Sequence, residues 1–212
     1  MLFRSLDNPV ISAGMASYPA VVETLHRLKA AGFNGVYSHN YGCEPGSHLS
    51  YAETLRAADD VGMLFFFAQP HFQQYDWDAP DADTKNGYAG HAKYYVQAAQ
   101  HHPSVVMYAT SHNATSYEES TSPDMMDGIQ NPRQSWSQHA ADKAMRAEAI
   151  IRKLDPTRIV YHHSSGNLGS MHTDNFYMNF VPQQEMADWL GRWSEKGVKP
   201  LFLCELDRKS VV

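Results

Sequence analysis

Cysteine is scarce in this chain of 212 residues: Cys43 and Cys204 are the only two, far apart and without metal-ligand spacing. They give no disulfide framework, and both are expected as small buried side chains. Long apolar runs are absent too, and nothing approaches the roughly 18 consecutive apolar residues that a membrane-spanning helix needs. Basic charge is in deficit, with 17 Lys and Arg against 23 Asp and Glu, a net charge of -6 and an isoelectric point near 6.0. A nucleic-acid partner needs a basic stripe, so this balance argues against one. No glycine-rich phosphate loop follows an early strand, and no linker or low-complexity segment divides the chain. The N-terminus shows no signal peptide, which leaves the compartment open.

What is present is material for one core of ordinary domain size: 43% hydrophobic residues and 12% aromatic. Short apolar runs alternate with amphipathic stretches. Pro9 to Gly14 reads as a first strand, and Ala20 to Ala31 as a helix with Val21, Val22, Leu25 and Leu28 at helical spacing, stopped by Gly32. Phe33 to Ser38 is a strand and Leu49 to Val61 a helix closed by Gly62. Met63 to Ala68 is a continuous apolar strand of the kind buried on both faces of a parallel sheet. Ala89 to His101, His139 to Leu154 and Gln184 to Lys196 follow as helices. Ser104 to Tyr108, Arg158 to Tyr161, Phe176 to Phe180 and Leu201 to Cys204 follow as strands. A long polar loop runs from Ser111 to about Ser137.

Strands separated by helices imply parallel pairing, in an open doubly wound sheet or a closed eight-fold barrel. The missing phosphate loop speaks against the open sheet. Polar residues recur after the strands: Ser38-His39-Asn40, Gln69 with His71, Ser111-His112-Asn113, His162-His163 and Glu205. A barrel would bring them all to its C-terminal face, where barrel active sites lie. The expected fold is therefore an α/β (β/α)8 TIM barrel, with about seven of the eight strands present.

Glu205 ends an apolar strand, where a carboxylate is costly to bury unless it is paired or used. A structural salt bridge and a catalytic role both meet that condition. Three stretches bear on the choice. Lys199-Pro200-Leu201-Phe202-Leu203-Cys204-Glu205 resembles the nucleophile strand of glycoside hydrolase family 2, the β-galactosidase and β-glucuronidase group. His102-Pro103-Ser104-Val105-Val106-Met107-Tyr108 resembles that family's fourth strand, which usually reads His-Pro-Ser-Val-Ile-Met-Trp. Phe33-Asn34-Gly35-Val36 with Ser38-His39 is a weaker likeness to a Phe-Asn-Ala-Val-Arg-x-Ser-His pattern. The three lie in the family's order, and the resemblance covers about Val10 to Leu206.

The resemblance implies a retaining glycosidase barrel acting on O-glycosidic bonds of a carbohydrate, with two carboxylates about 5 Å apart. Glu205 matches the nucleophile. The acid/base glutamate has no counterpart, because the family's Gly-Asn-Glu is here Ser111-His112-Asn113. An ungapped match puts Asn113 at the acid/base position; a one-residue shift leaves Ala114 there. Three repairs are open: His112 as the acid, Glu118 or Glu119 reaching back from the same loop, or a protein that binds sugar without cleaving it. The family's second-strand arginine is replaced by Tyr37.

Twelve histidines raise a metal-dependent hydrolase barrel as a further alternative. No His-x-His follows the first strand and no His-Glu-x-x-His helix exists, so hydrogen-bonded, non-metal histidines are expected. Adjacent His162 and His163 would face opposite sides of a strand, which admits one of them to a pocket. Trp77, Tyr75, Tyr117, Trp136 and Tyr177 lie in or beside loops after strands. There they either stack on sugar faces or cover the core, whereas Trp189 and Trp193 read as core residues of a helix. The substrate-binding set is taken as His39, Asn40, His71, Trp77, His162 and Tyr177. No metal and no cofactor are expected, and the partner is a carbohydrate.

The last six residues, Asp207 to Val212, stand apart. As codons, GAT CGG AAG AGC GTC GTG encodes them and resembles a sequencing adapter; a natural polar tail is the alternative. The expected organisation is one glycosidase-like barrel domain over 1–206, a fragment lacking one strand and its helix, followed by a non-native tail at 207–212. Such a barrel would expose two unpaired strand edges and tend to aggregate.

Overall fold

Helix and strand alternate through the computed structural model, which describes residues 3–5, 17–37, 51–110, 112, 113, 115, 135–175, 184, 188, 190–197 and 199–205, with 3–5, 192 and 205 described by backbone alone. The chain forms two compact units, Met1–His112 with Arg146–Val160, and Asn113–Met145 with Tyr161–Val212.

The first unit carries β1 (Phe3–Ser5), α1 (Tyr18–Ala30), β2 (Gly35–Tyr37), α2 (Tyr51–Val61), β3 (Leu64–Ala68), α3 (Ala82–Lys85), α4 (Tyr88–Ala99) and β4 (Val105–Ala109). β5 (Ile159–Tyr161) completes a sheet of order β1-β2-β3-β4-β5, and of α5 (Ser135–Leu154) the part from Arg146 onward belongs to this unit. β1 to β4 pair in parallel, each with the next. Parallel strands need a crossover between them, and the amphipathic helices supply it. β3 is the centre of this core: Phe65, Phe66 and Phe67 are fully buried, as an apolar run covered on both faces requires. α1 packs on α2 and presents Val21 and Leu25 inward. Gly62 ends α2 at φ +69°, a left-handed position that suits glycine, before the chain turns into β3.

Below β4, Arg158 gathers three backbone carbonyls, donating from Nε to Val105 O over 2.7 Å and from Nη2 to Gln100 O and His102 O over 3.0 and 3.2 Å. The Pro103-to-Val105 entry into the strand is thereby tied to the segment that leads into β5.

The second unit holds β6 (Gly166–Leu168), β7 (Met171–Asn175), α6 (Gly191–Lys196) and β8 (Leu201–Glu205). β6 and β7 form an antiparallel hairpin turning at Gly169, whose φ is +67°, and β7 pairs in parallel with β8. Two expectations change here. The described strands form a five-stranded and a three-stranded sheet, where one closed ring was expected. The hairpin was not anticipated either, because β7 reads Met-His-Thr-Asp-Asn and lacks the apolar pattern of a strand. The expected strands Pro9 to Gly14 and Phe176 to Phe180 lie outside the described residues. The expected helix from Gln184 is described as a helix over Gly191–Lys196.

Candidate active site

In the first unit, polar residues follow β2, β3 and β4. Gln69 and His71 leave β3 as buried groups, and Gln69 N donates to Ala109 O over 2.8 Å, which fixes the end of β3 against the end of β4. Burial pushes the His71 imidazole below its usual value, against opposing hydrogen bonds from backbone groups that include His112, so His71 is neutral at pH 7. The hydroxyl of Tyr37, at the end of β2, shares a hydrogen bond of 3.4 Å with His112 Nδ1, and the two rings lie nearly parallel at 9°.

Trp77 lies elsewhere in this unit and is only 2% exposed. Its indole N–H donates to Phe72 O over 2.7 Å, and its ring is enclosed by Tyr88 and the guanidinium of Arg146. With its faces covered, Trp77 is a packing residue and not the sugar platform expected of it. An aromatic in a loop carries no sequence signal that separates these two roles.

The second unit contains a denser polar cluster. Asn113 takes φ +49°, a left-handed value that asparagine tolerates better than most residues. Its Oδ1 lies 2.9 Å from His163 Nδ1 and accepts from Asn175 Nδ2 over 3.4 Å. Behind this pair, Thr173 Oγ1 donates to His162 O and accepts from Ser165 N over 2.9 Å, and Ser165 Oγ bonds both His163 O and the Thr115 hydroxyl. Ser137 Oγ donates to Thr115 O over 2.8 Å, which ties the start of α5 to the cluster. His162, His163, Ser164, Ser165, His172, Thr173, Asp174 and Asn175 are all buried. That many buried polar groups are tolerated only where hydrogen bonds compensate them.

Glu205 is the last residue of β8, and its Cα pairs with that of Asn175. The register shifts between Asp174 and Asn175, so that Asp174 faces Leu203 and Asn175 faces Glu205. Irregularities of this kind are common beside active sites, where they re-aim a strand end.

The structure thus joins Asn113 to His163, while His162 of the expected set is buried beside it. The two histidines lie beyond β5 in a turn, where strand alternation no longer governs which side chain turns inward. Asn175 was missed altogether, since it falls at the end of a strand without apolar periodicity. His112 sits in the first unit and Asn113 in the second. Glu118, Glu119, His39, Asn40 and Tyr177 lie outside the described residues. Among the described residues, no group of three or more His, Cys, Asp or Glu side chains could hold a metal ion, and no helix is long and apolar enough to cross a membrane.

Comparison with known proteins gives the family context. The family model described as glycosyl hydrolases family 2, TIM barrel domain, matches residues 51–211. No curated protein matches the chain. Among solved structures, a family 2 β-galacturonidase from Eisenbergiella tayi bound to galacturonate aligns with TM-score 0.61 at 15% identity, covering 96% of this chain and 34% of that one. A family 2 glycosyl hydrolase from Bacteroides cellulosilyticus aligns with TM-score 0.51 at 16% identity, over 96% of this chain and 26% of that one. A β-glycosidase from Bacteroides vulgatus aligns with TM-score 0.51 at 13% identity, over 91% and 21%. At such identities the likeness is one of fold, and the chain spans about a third or less of the length of these structures.

Proposed function

The chain belongs to glycosyl hydrolase family 2 through its TIM barrel domain, and from that premise we propose that it acts on an O-glycosidic bond of a carbohydrate with Glu205 as a retaining nucleophile. The observation that carries this reading is the position of Glu205 at the C-terminal end of β8, in register with Asn175 and next to the buried polar cluster of the second unit. In the first step, a Glu205 carboxylate oxygen would bond to the anomeric carbon while the bond from that carbon to the leaving oxygen breaks. In the second, water would attack the same carbon, release the sugar and restore the carboxylate.

Asn113 cannot supply the proton for the leaving oxygen, because a carboxamide has no acidic hydrogen of useful pKa and its Oδ1 is an acceptor here. Proton delivery therefore falls to His112, Glu118 or Glu119, or is not required when the leaving group is itself acidic. His39, Asn40, His71, His162 and Tyr177 remain the proposed substrate-binding residues.

The engagement of Asn113 favours one second reading, a relative that binds carbohydrate without cleaving it. A mechanism-based 2-deoxy-2-fluoroglycosyl fluoride separates the two. Covalent labelling mapped to Glu205 by peptide mass spectrometry, with loss of turnover in Glu205→Gln, is the expected result. Sugar binding without labelling, kept in Glu205→Gln, would establish the binder instead.

A further inference from the structure

We propose that Asn175 sets specificity in this site, its Oδ1 accepting a hydrogen bond from one hydroxyl of a sugar bound beside Glu205; this rests on the carbohydrate reading above. Asn175 is only 6% exposed, and among the described residues its buried Oδ1 has no hydrogen-bond partner. A buried carbonyl oxygen left without a donor is uncommon, because its lost hydration is not repaid, and such groups concentrate where a ligand or an ordered water completes them.

The orientation of this amide follows from that of Asn113. Asn113 Oδ1 is approached by His163 Nδ1 and by Asn175 Nδ2. With Asn113 Oδ1 as the shared acceptor, His163 carries its proton on Nδ1 and Asn175 turns its nitrogen toward Asn113. Asn175 Oδ1 is consequently the end of the amide directed away from Asn113. Rotating the Asn175 amide alone to satisfy Oδ1 would set two oxygens against each other. The acceptor is thus held in place by His163 acting through Asn113, on the strand position that pairs with Glu205.

The chemistry selects the partner. A carbonyl oxygen takes a donor, so a sugar hydroxyl fits, whereas fluorine or a methoxy group at the same carbon has no hydrogen to give. Isothermal titration of the full chain and of Asn175→Ala tests this. The titrants are the methyl β-pyranosides of galactose, glucose, mannose and galacturonic acid, followed by the singly deoxyfluorinated analogues of the best binder. One analogue is expected to bind the unmodified chain about tenfold more weakly. Asn175→Ala should lose a similar factor against the parent sugar and nothing more against that analogue.

Equal weakening of the parent and every analogue, or no change in Asn175→Ala, would overturn the assignment and leave Asn175 a scaffold residue. Binding of none of the sugars by the unmodified chain would overturn the carbohydrate reading itself, and this inference with it. Asn175→Ser, with circular dichroism melts alongside, serves as the second variant should Asn175→Ala fail to fold.

Discussion

Arg158 Nη1 donates to Asp155 Oδ2 over 2.6 Å, and the same oxygen accepts the Tyr108 hydroxyl over 2.9 Å. Asp155 Oδ1 accepts from both the backbone N–H and the hydroxyl of Thr157. Burial favours the neutral acid, but Thr157, Arg158 and Tyr108 outweigh it and hold the carboxyl well below the usual carboxylate range. Burial pushes the Tyr108 phenol up, and its bond to Asp155 adds to the effect, so it stays protonated and able to donate. A depressed folded pKa contributes stability that is present above the unfolded value of about 3.9 and is lost as pH falls through the folded one. Asp155→Ala should cost about 1–3 kcal/mol at neutral pH, because it strands the buried Tyr108 hydroxyl and takes the acceptor from Arg158 Nη1, while the other Arg158 donors keep their backbone carbonyls. Denaturant melts at pH 7 and again in strong acid check this. The gap between the parent and the variant should narrow in acid, and a gap independent of pH would refute the ionic role.

A second carboxylate ties α2 to the start of β4. Asp59 Oδ2 lies 2.6 Å from His102 Nδ1, and Asp59 Oδ1 accepts from Ser104 N over 2.9 Å. Burial again opposes ionisation, and the Ser104 and His102 hydrogen bonds overcome it to lower the Asp59 pKa. By the same sign, its contribution is complete above about pH 4 and fades below. Asp59→Ala is expected to destabilise the first unit by about 1–2 kcal/mol at pH 7, read from thermal melts. His102→Ala should cost less, since the Ser104 bond survives; equal losses would contradict this division.

The parts of the fold that the sequence made legible are those where one physical signal dominates. The three buried phenylalanines of β3 and the glycine stops after α1 and α2 show themselves directly, because apolar runs and left-handed positions restrict residue choice. The strand Met171–Asn175 did not, since its buried side chains are mostly polar and Thr173 and Asn175 find their hydrogen-bond partners outside the strand, which no periodicity encodes. The site divided in the same way. The proposal of Glu205 rests on its place at the end of an apolar strand together with the family likeness, and that of Asn113 on the match to the family's strand end. Asn175, His163 as the partner of Asn113, and the packing role of Trp77 depend on three-dimensional neighbours.

Gly62 offers a test of backbone geometry with little packing change. A Cβ there would approach only Lys29 Nζ, at 3.4 Å, and a flexible ammonium can move aside. The φ of +69° remains a cost, about 1–2 kcal/mol for an L-residue. Gly62→Ala should lower stability by about 1 kcal/mol, while Gly62→Asn loses less because asparagine accepts this region. Lys29 also donates to Val61 O over 2.7 Å, so Lys29→Met should weaken the same helix end. A Gly62→Ala variant as stable as the parent would show that the left-handed turn is not needed.

If the chain is a glycosidase whose only defect is the missing acid/base carboxyl, Asn113→Glu should restore it in part. Without an acid, turnover depends steeply on how well the leaving group departs unaided, so aryl glycosides such as p-nitrophenyl substrates should far outpace alkyl ones. General acid assistance is worth roughly 10²–10⁴-fold. Asn113→Glu should therefore raise kcat/KM for methyl glycosides relative to p-nitrophenyl glycosides by about 100-fold, and add a basic limb to the pH profile as the new acid ionises. Two costs oppose the gain. Glutamate is disfavoured at φ +49°, and the hydrogen bonds with His163 and Asn175 are lost or remade. Asn113→Gln carries the same backbone cost without the acid and is the control. An unchanged ratio in Asn113→Glu, with Glu205 still labelled by the fluorosugar, would remove Asn113 from the acid/base position and turn attention to His112, Glu118 and Glu119.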